Sequence, residues 1–263
     1  MRRGRRWRVV VFVLAALYFL LPLVAAAEFS LRAPGGGYGI ANYLAIVRDE
    51  ALLSALLTSL QIAVVTAALV LLLVVPTAVW VRLRFPGLAG VLESATILPI
   101  VIPPVVMAAG IAFVQANVGG PVFRELFASS LTALTPFYVV LAVPFAYRAV
   151  DNGLAAVPLR TLVEAARNLG ASVATALVRV VLPAIRSAVL GAAFLTLALV
   201  LGEVVIARIL LYTDTFPIAI VEVGRSTAGV AVALSLASLL ITWVLLLVVS
   251  FAGGRRSRSE ESV

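Results

Sequence analysis

The stretch VPLRTLVEAARNLGASVATALVRVVLP, residues 157–183, sets Arg160, Glu164 and Arg167 among aliphatic residues, in a chain whose long runs otherwise carry almost no charge. A second acid in apolar company is Glu203, in LTLALVLGEVVIARILL. What such residues can do is bounded by what is missing. The 20 basic residues are all Arg, and Lys, His and Cys are absent. That removes a phosphate-loop lysine, thiol and imidazole chemistry and soft-metal ligation. A hydrolase or protease would have to work on the few acids and hydroxyls left. What remains is docking through a patterned surface, ion pairing by isolated carboxylates, and backbone breaks at proline.

The elements that position these residues are membrane spans. Hydrophobic residues make up 63% of the chain and charged ones 12%, with a mean hydropathy of +1.16, far outside soluble composition. A span needs about 20 apolar residues to cross roughly 30 Å of hydrocarbon. Six stretches qualify: 9–27, about 52–80, about 90–116, about 129–147, about 184–211 and 230–252. The predicted class is therefore all-α, a polytopic membrane protein of six transmembrane helices with no soluble domain. Its expected divisions are an arm at 1–8, one membrane domain at 9–252 containing the patterned loop 158–183, and a tail at 253–263.

The first stretch, with its Arg-rich start and VAAAE ending at Glu28, also has features of a secretory signal. Its 19 uncharged residues exceed the usual signal core of roughly 7 to 15, so the expectation is a retained helix.

Basic loops stay on the cytoplasmic side of a membrane. With both termini inside, the inner segments hold Arg2, Arg3, Arg5, Arg6, Arg8, Arg82, Arg84, Arg148, Arg160, Arg167, Arg179, Arg186, Arg255, Arg256 and Arg258, which is 15 of 20. Arg32, Arg48, Arg124, Arg208 and Arg225 fall outside, where Ala33–Gly39, APGGGYG, reads as a flexible turn.

On this topology loop 158–183 faces the cytoplasm and reads as helix, turn, helix. Pro158 suits a first helical position. Leu159, Leu162, Val163, Ala166 and Leu169 recur on one helical face, and Arg160, Glu164, Arg167 and Asn168 on the other. Arg160 and Glu164, four apart, can pair in the less favourable order. Gly170 is placed to end the helix in a left-handed conformation and Ser172 to cap the next. Such a hairpin suits docking into a groove on a soluble partner, or resting on anionic headgroups.

The residues themselves carry a resemblance. Glu164, Ala165, Ala166, Gly170, Val180, Leu182 and Pro183 fill the spacing of the EAA loop in permease subunits of bacterial ABC importers, with Val180 where Ile is commoner. The resemblance implies the type I ABC importer permease fold and an inner-membrane location. It also implies a coupling helix that inserts into the ATP-binding subunit, with Glu164 contacting the ATPase and Gly170 allowing the sharp turn. LPIVIPPVVMAAG, residues 98–110, looks like the proline-rich third helix of such permeases. Pro99, Pro103 and Pro104 remove backbone donors and force a kink or break, tolerated in a membrane only where protein or water satisfies the freed carbonyls. These three residues are expected to line the translocation pathway, the competing expectation being a kink used only for packing.

Glu203 joins them as a pathway candidate, because an ionisable group at membrane depth is a functional candidate by default. A structural pairing, for example with Arg208, is the competing expectation. The stretch from Leu210 to Trp243, with its TFP turn, resembles the polyamine (spermidine/putrescine) branch, although ferric iron, thiamine and phosphonate importers share much of this layout. Asp214 and Glu222 would face the binding protein, or be solvated loop charges with no specific role.

The implied partners are a dimer of ATP-binding subunits, a second permease subunit of different sequence in preference to a copy, an extracytoplasmic solute-binding protein and membrane lipid, with no nucleic acid. No cofactor is expected on this chain, ATP and magnesium residing on the ATPase. The competing class, an ion-coupled secondary transporter, would need membrane-embedded coupling groups and usually a topological repeat, neither of which is evident.

Overall fold

The structure is a computed structural model, and it describes residues 2–33, 35–118 and 120–254. The helices in chain order are α1 (Arg2–Ser30), α2 (Ala41–Arg48), α3 (Glu50–Arg84), α4 (Ala89–Val101), α5 (Pro104–Asn117), α6 (Pro121–Leu126) and α7 (Ser130–Ala155). They continue with α8 (Leu159–Asn168), α9 (Val173–Ala176), α10 (Leu182–Ala184), α11 (Arg186–Gly202), α12 (Val205–Ile209), α13 (Phe216–Ser226) and α14 (Ala228–Gly254). The described residues contain no strand beyond the isolated bridge between Arg32 and Tyr38. The all-α expectation is met. Arg255, Arg256 and Arg258 of the expected tail lie outside the described residues.

Among the described residues four helices are long and apolar enough to cross a membrane: Val10–Ser30, Glu50–Arg84, Ser130–Ala155 and Arg186–Ile209. Pro86–Val101 and Pro104–Asn117 qualify together as a fifth, bent by 82° at the break between them. Ala228–Val244, in the place of the expected sixth, is a shorter apolar helix on the same measure, although the α14 backbone continues to Gly254. Length and composition thus give four or five spans where hydropathy predicts six.

The chain divides into two compact units, residues up to Ser54 with Ala219–Ile241, and Ala55–Ile218 with the residues from Thr242 onward. In the first, the turn after α1 is closed by main-chain bonds. Gly39 N–H donates to Leu31 O at 2.8 Å and Ala33 N–H to Gly37 O at 3.1 Å, while Gly36 and Gly37 take the positive φ values of 87° and 84° that the reversal requires. The Tyr38 hydroxyl donates to Glu28 Oε1 at 2.6 Å, and so does Arg32 Nε at 2.9 Å. The segment predicted as a flexible turn is therefore a hydrogen-bonded one. Buried Asn42 holds it from behind, its Nδ2 donating to the carbonyls of Ser30 and Arg32 at 2.8 and 3.0 Å.

The second unit contains two buried clusters. At the end of the helices that leads into residues 156–185, Val70, Val74 and Ala78 of α3 join Ala142, Ala146 and Val150 of α7, Leu159 and Val163 of α8, and Ala192 of α11. The α7 row Ala142, Ala146 and Val150 recurs every four residues and is completely buried, so it forms one small-residue stripe that lets helix backbones approach. The approach is closest at Gly153, where a Cβ atom would lie 2.3 Å from the Ala188 Cβ of α11. Toward the other end, Ile62, Ala108, Leu134, Tyr138, Val200 and Ile206 bring α3, α5, α7, α11 and α12 together.

Candidate functional site

The helical hairpin between α7 and α11 is built by local rules. Pro158 is the N-cap of α8 rather than its first residue, with φ −75° and ψ 68°. The proline ring fixes φ but does not hold ψ in the helical range, so the helix begins one residue later. At the other end Ala171 N–H donates to Ala166 O at 3.0 Å and Gly170 N–H to Arg167 O at 2.9 Å, the paired bonds of a Schellman cap. Gly170 has φ +85°, and Ser172 Oγ caps α9 by accepting from Thr175 N–H at 3.1 Å. Both capping expectations hold.

Leu159, Val163 and Ala166 are buried, as the helical period predicts, whereas Leu169 is 89% exposed. Leu169 is the C-cap with φ −85° and ψ 10°, where the chain turns away at Gly170 and leaves its side chain exposed at the tip of the hairpin. Glu164 and Ala165 are exposed as well. The predicted Arg160–Glu164 ion pair does not form among the described residues; an exposed pair in that order gains too little to hold two long side chains together. Val180 lies in a π-helical segment, Leu177–Val181, whose closing bond runs from Leu182 N–H to Leu177 O. Pro183 follows directly and cannot donate to Arg179 O, so the α-helical ladder is interrupted at this point. One unit thus brings all seven sequence-predicted residues into a single segment, with Glu164, Ala165, Gly170 and Pro183 exposed, Ala166 buried, and Val180 and Leu182 half-buried.

The base of the hairpin is tied to α3. Arg82 donates from Nε and Nη2 to the two carboxylate oxygens of Asp151 at 2.5 and 2.8 Å. This bidentate, part-buried pair joins the last turns of α3 and α7. The sequence places Arg82 on an inner segment and gives no sign of its partner, since no local signal pairs residues 69 positions apart.

The proline-rich element breaks where its residues predict. Ile102 takes an extended conformation between α4 and α5, and Pro103 caps α5. Pro103 and Pro104 lack N–H groups, so the carbonyls of Pro99 and Ile100 lose their i+4 donors. Ile100, Val101 and Ile102 are exposed at the bend.

Glu203 ends α11, and its carboxylate faces inward. Oε1 accepts from Val205 N–H at 2.8 Å and Ile206 N–H at 3.1 Å, and Oε2 from the Tyr138 hydroxyl at 3.0 Å. It therefore caps α12 and ties it to α7, satisfying donors that a helix start leaves open. Asp214, expected on an outer loop, accepts from Ser130 Oγ at 2.6 Å. If the capping bonds are the role of Glu203, Glu203→Gln, which keeps one carbonyl acceptor, retains uptake at normal expression. Glu203→Ala then lowers thermal stability by about 1–3 kcal/mol as buried donors lose their partner. Loss of uptake in Glu203→Gln at unchanged melting temperature would instead assign the carboxylate to the solute path.

The sequence of residues 75–256 matches the family described as the binding-protein-dependent transport system inner membrane component. The chain belongs to that family. It is a permease subunit of an ABC importer, a multi-pass inner-membrane component that is not itself catalytic. No curated protein matches it in sequence. Solved structures share the permease fold. One is described as a bacterial ABC transporter involved in the import of the acidic polysaccharide alginate; it is 16% identical, with a TM-score of 0.66 over 97% of each chain. Another, the bacterial alginate ABC transporter in complex with alginate pentasaccharide-bound periplasmic protein, is 17% identical, with a TM-score of 0.65 over 96% of each chain.

Proposed function

We propose that this permease couples to an ATP-binding subunit through the hairpin Leu159–Pro183, with Glu164 as the polar contact and Leu169 as the apolar knob that enters the ATPase surface. The observation that carries this reading is the hairpin itself. A Schellman-capped hairpin carries an exposed carboxylate within α8 and an exposed leucine at its tip, on a base held by the Arg82–Asp151 pair. The arginine bias supports placing this end, and both termini, in the cytoplasm.

The solute path runs at the interface with a second permease subunit, of different sequence in preference to a copy. The bend at Ile102–Pro104 lines it, because exposed carbonyls without donors are stable in a membrane only beside water or protein. An extracytoplasmic binding protein delivers the solute from the opposite side, in keeping with the family's dependence on such proteins. Neither family nor fold favours a polyamine over another small solute. The polyamine reading rests on the resemblance of the stretch from Leu210 to Trp243, and spermidine and putrescine are therefore the first cargoes to assay, followed by ferric iron, thiamine and phosphonates.

The test is mass spectrometry of what co-purifies with a tagged copy from its native membrane in mild detergent. An ATP-binding subunit and a second permease are expected, and Leu169→Asp should reduce recovery of the ATPase without loss of the second permease. A chain that emerges alone, and recaptures no soluble ATPase through the hairpin, would remove the coupling role.

A further inference from the structure

A cavity of about 770 Å³ opens between α3 and the hairpin. Its walls differ in chemistry. Arg84, Arg160, Glu164 and Arg167 line it together with apolar residues that include Pro76, Trp80 and Leu177. Three guanidinium groups against one carboxylate leave the site with a net charge of about two positive units, and no ion pair among the described residues consumes them.

We infer that this cavity seats an anionic phospholipid, with its phosphate on Arg84, Arg160 and Arg167 and an acyl chain laid along α3. Charge complementarity calls for an anion, and the shape of the lining selects a lipid over a free one. From Arg84 back to Pro76 the cavity follows α3 for eight residues, roughly 12 Å at the rise of a helix. That wall belongs to the apolar span Glu50–Arg84. An inorganic anion would use only the arginines, whereas a phospholipid also covers the apolar lining along α3. Arginine presents planar, bidentate donors to phosphate oxygens, and its stem covers apolar surface while the head stays polar. A lipid seated here touches Val163 and Glu164 on α8. Its effect on coupling rests on the docking role proposed for that helix; its binding does not.

Trp80 lines the cavity and is one of three tryptophans in the chain, which gives a direct readout. The full chain carrying Trp7→Phe and Trp243→Phe is reconstituted in phosphatidylcholine nanodiscs with a small fraction of brominated phosphatidylglycerol or, in parallel, brominated phosphatidylcholine. Bulk contact quenches Trp80 equally in both, and a seated anionic lipid adds quenching only in the first. Enrichment of phosphatidylglycerol on the order of 20-fold is expected from what basic side chains contribute at an anionic surface. Arg84→Gln with Arg160→Gln should abolish the difference, and Arg148→Gln, which lies outside the cavity lining, should not. Equal quenching by the two lipids, which needs no variant to observe, overturns the proposal, as does a difference that survives the double substitution. Inorganic phosphate that restores the fluorescence as well as unbrominated phosphatidylglycerol does would assign the arginines to a free anion and overturn the lipid. No arm requires an ATPase, so failure here is separable from failure of the coupling role.

Discussion

Solute uptake is expected to fall to background in Gly170→Leu and in Glu164→Arg, with insertion and expression of the chain intact. The two act differently. A Cβ added at Gly170 meets nothing within 4 Å, so Leu is disfavoured by conformation and not by collision. The φ of +85° costs an L-residue about 1–2 kcal/mol, small against the roughly 5–15 kcal/mol that holds a domain folded. The fold survives, but the turn relaxes toward negative φ, the two Schellman bonds break, and Leu169 leaves the tip. Asn tolerates the left-handed region better than other side chains, so Gly170→Asn should retain more uptake than Gly170→Ala or Gly170→Leu. That ranking separates a conformational requirement from a need for a small surface. Glu164→Arg leaves the turn alone and reverses the charge at the docking face, so ATP hydrolysis by the assembled complex should lose its dependence on the loaded binding protein. Transport assays in proteoliposomes check both variants, and wild-type uptake in either would end the assignment of that residue to coupling.

The hairpin was legible because its signals are local. Gly170 and Ser172 act on neighbours one to four residues away, and the sequence places both caps correctly. Leu169 departs from its expected place for an equally local reason: helical periodicity extends a buried stripe to the last residue, while the chain turns away at Gly170 and leaves that residue exposed. The prolines announced the break after Val101, but hydropathy could not foresee an 82° bend, since the angle depends on what packs on either side. Glu203 stood out as an isolated acid, yet its role depends on where α11 stops. Only with the end at Gly202 known do the free N–H groups of Val205 and Ile206 come within its reach. Arg82–Asp151 and Gly153–Ala188 are tertiary facts, invisible to any window along the chain.

Gly153 carries the second large effect. A helix interior normally gains about 1 kcal/mol when Gly becomes Ala, so propensity alone predicts that Gly153→Ala stabilises α7. The structure reverses the sign. The new Cβ would sit 2.3 Å from Ala188 Cβ, whereas carbon atoms pack best at about 3.5–4.0 Å. The neighbour is a Cβ fixed to a helix and cannot swing aside, so α11 must move by more than 1 Å. Overpacking of this kind costs about 1–3 kcal/mol, and the fixed Cβ of Ala188 places the site at the upper end, from which the helix-propensity gain of about 1 kcal/mol is subtracted. Gly153→Ala should therefore be less stable by about 2 kcal/mol, and Gly153→Leu by more. Thermal unfolding in detergent should register this as a drop on the order of 5 °C. Uptake should fall further than stability does, because α7 and α11 are the two posts from which the hairpin hangs, and separating them at Gly153 splays its base beside the Arg82–Asp151 pair. The decisive variant is the exchange: Gly153→Ala combined with Ala188→Gly moves the methyl group from one helix to the other and should recover most of the lost stability, a strong coupling for residues in direct contact. If the two substitutions merely add, the close approach of α7 to α11 is not what makes glycine necessary at 153.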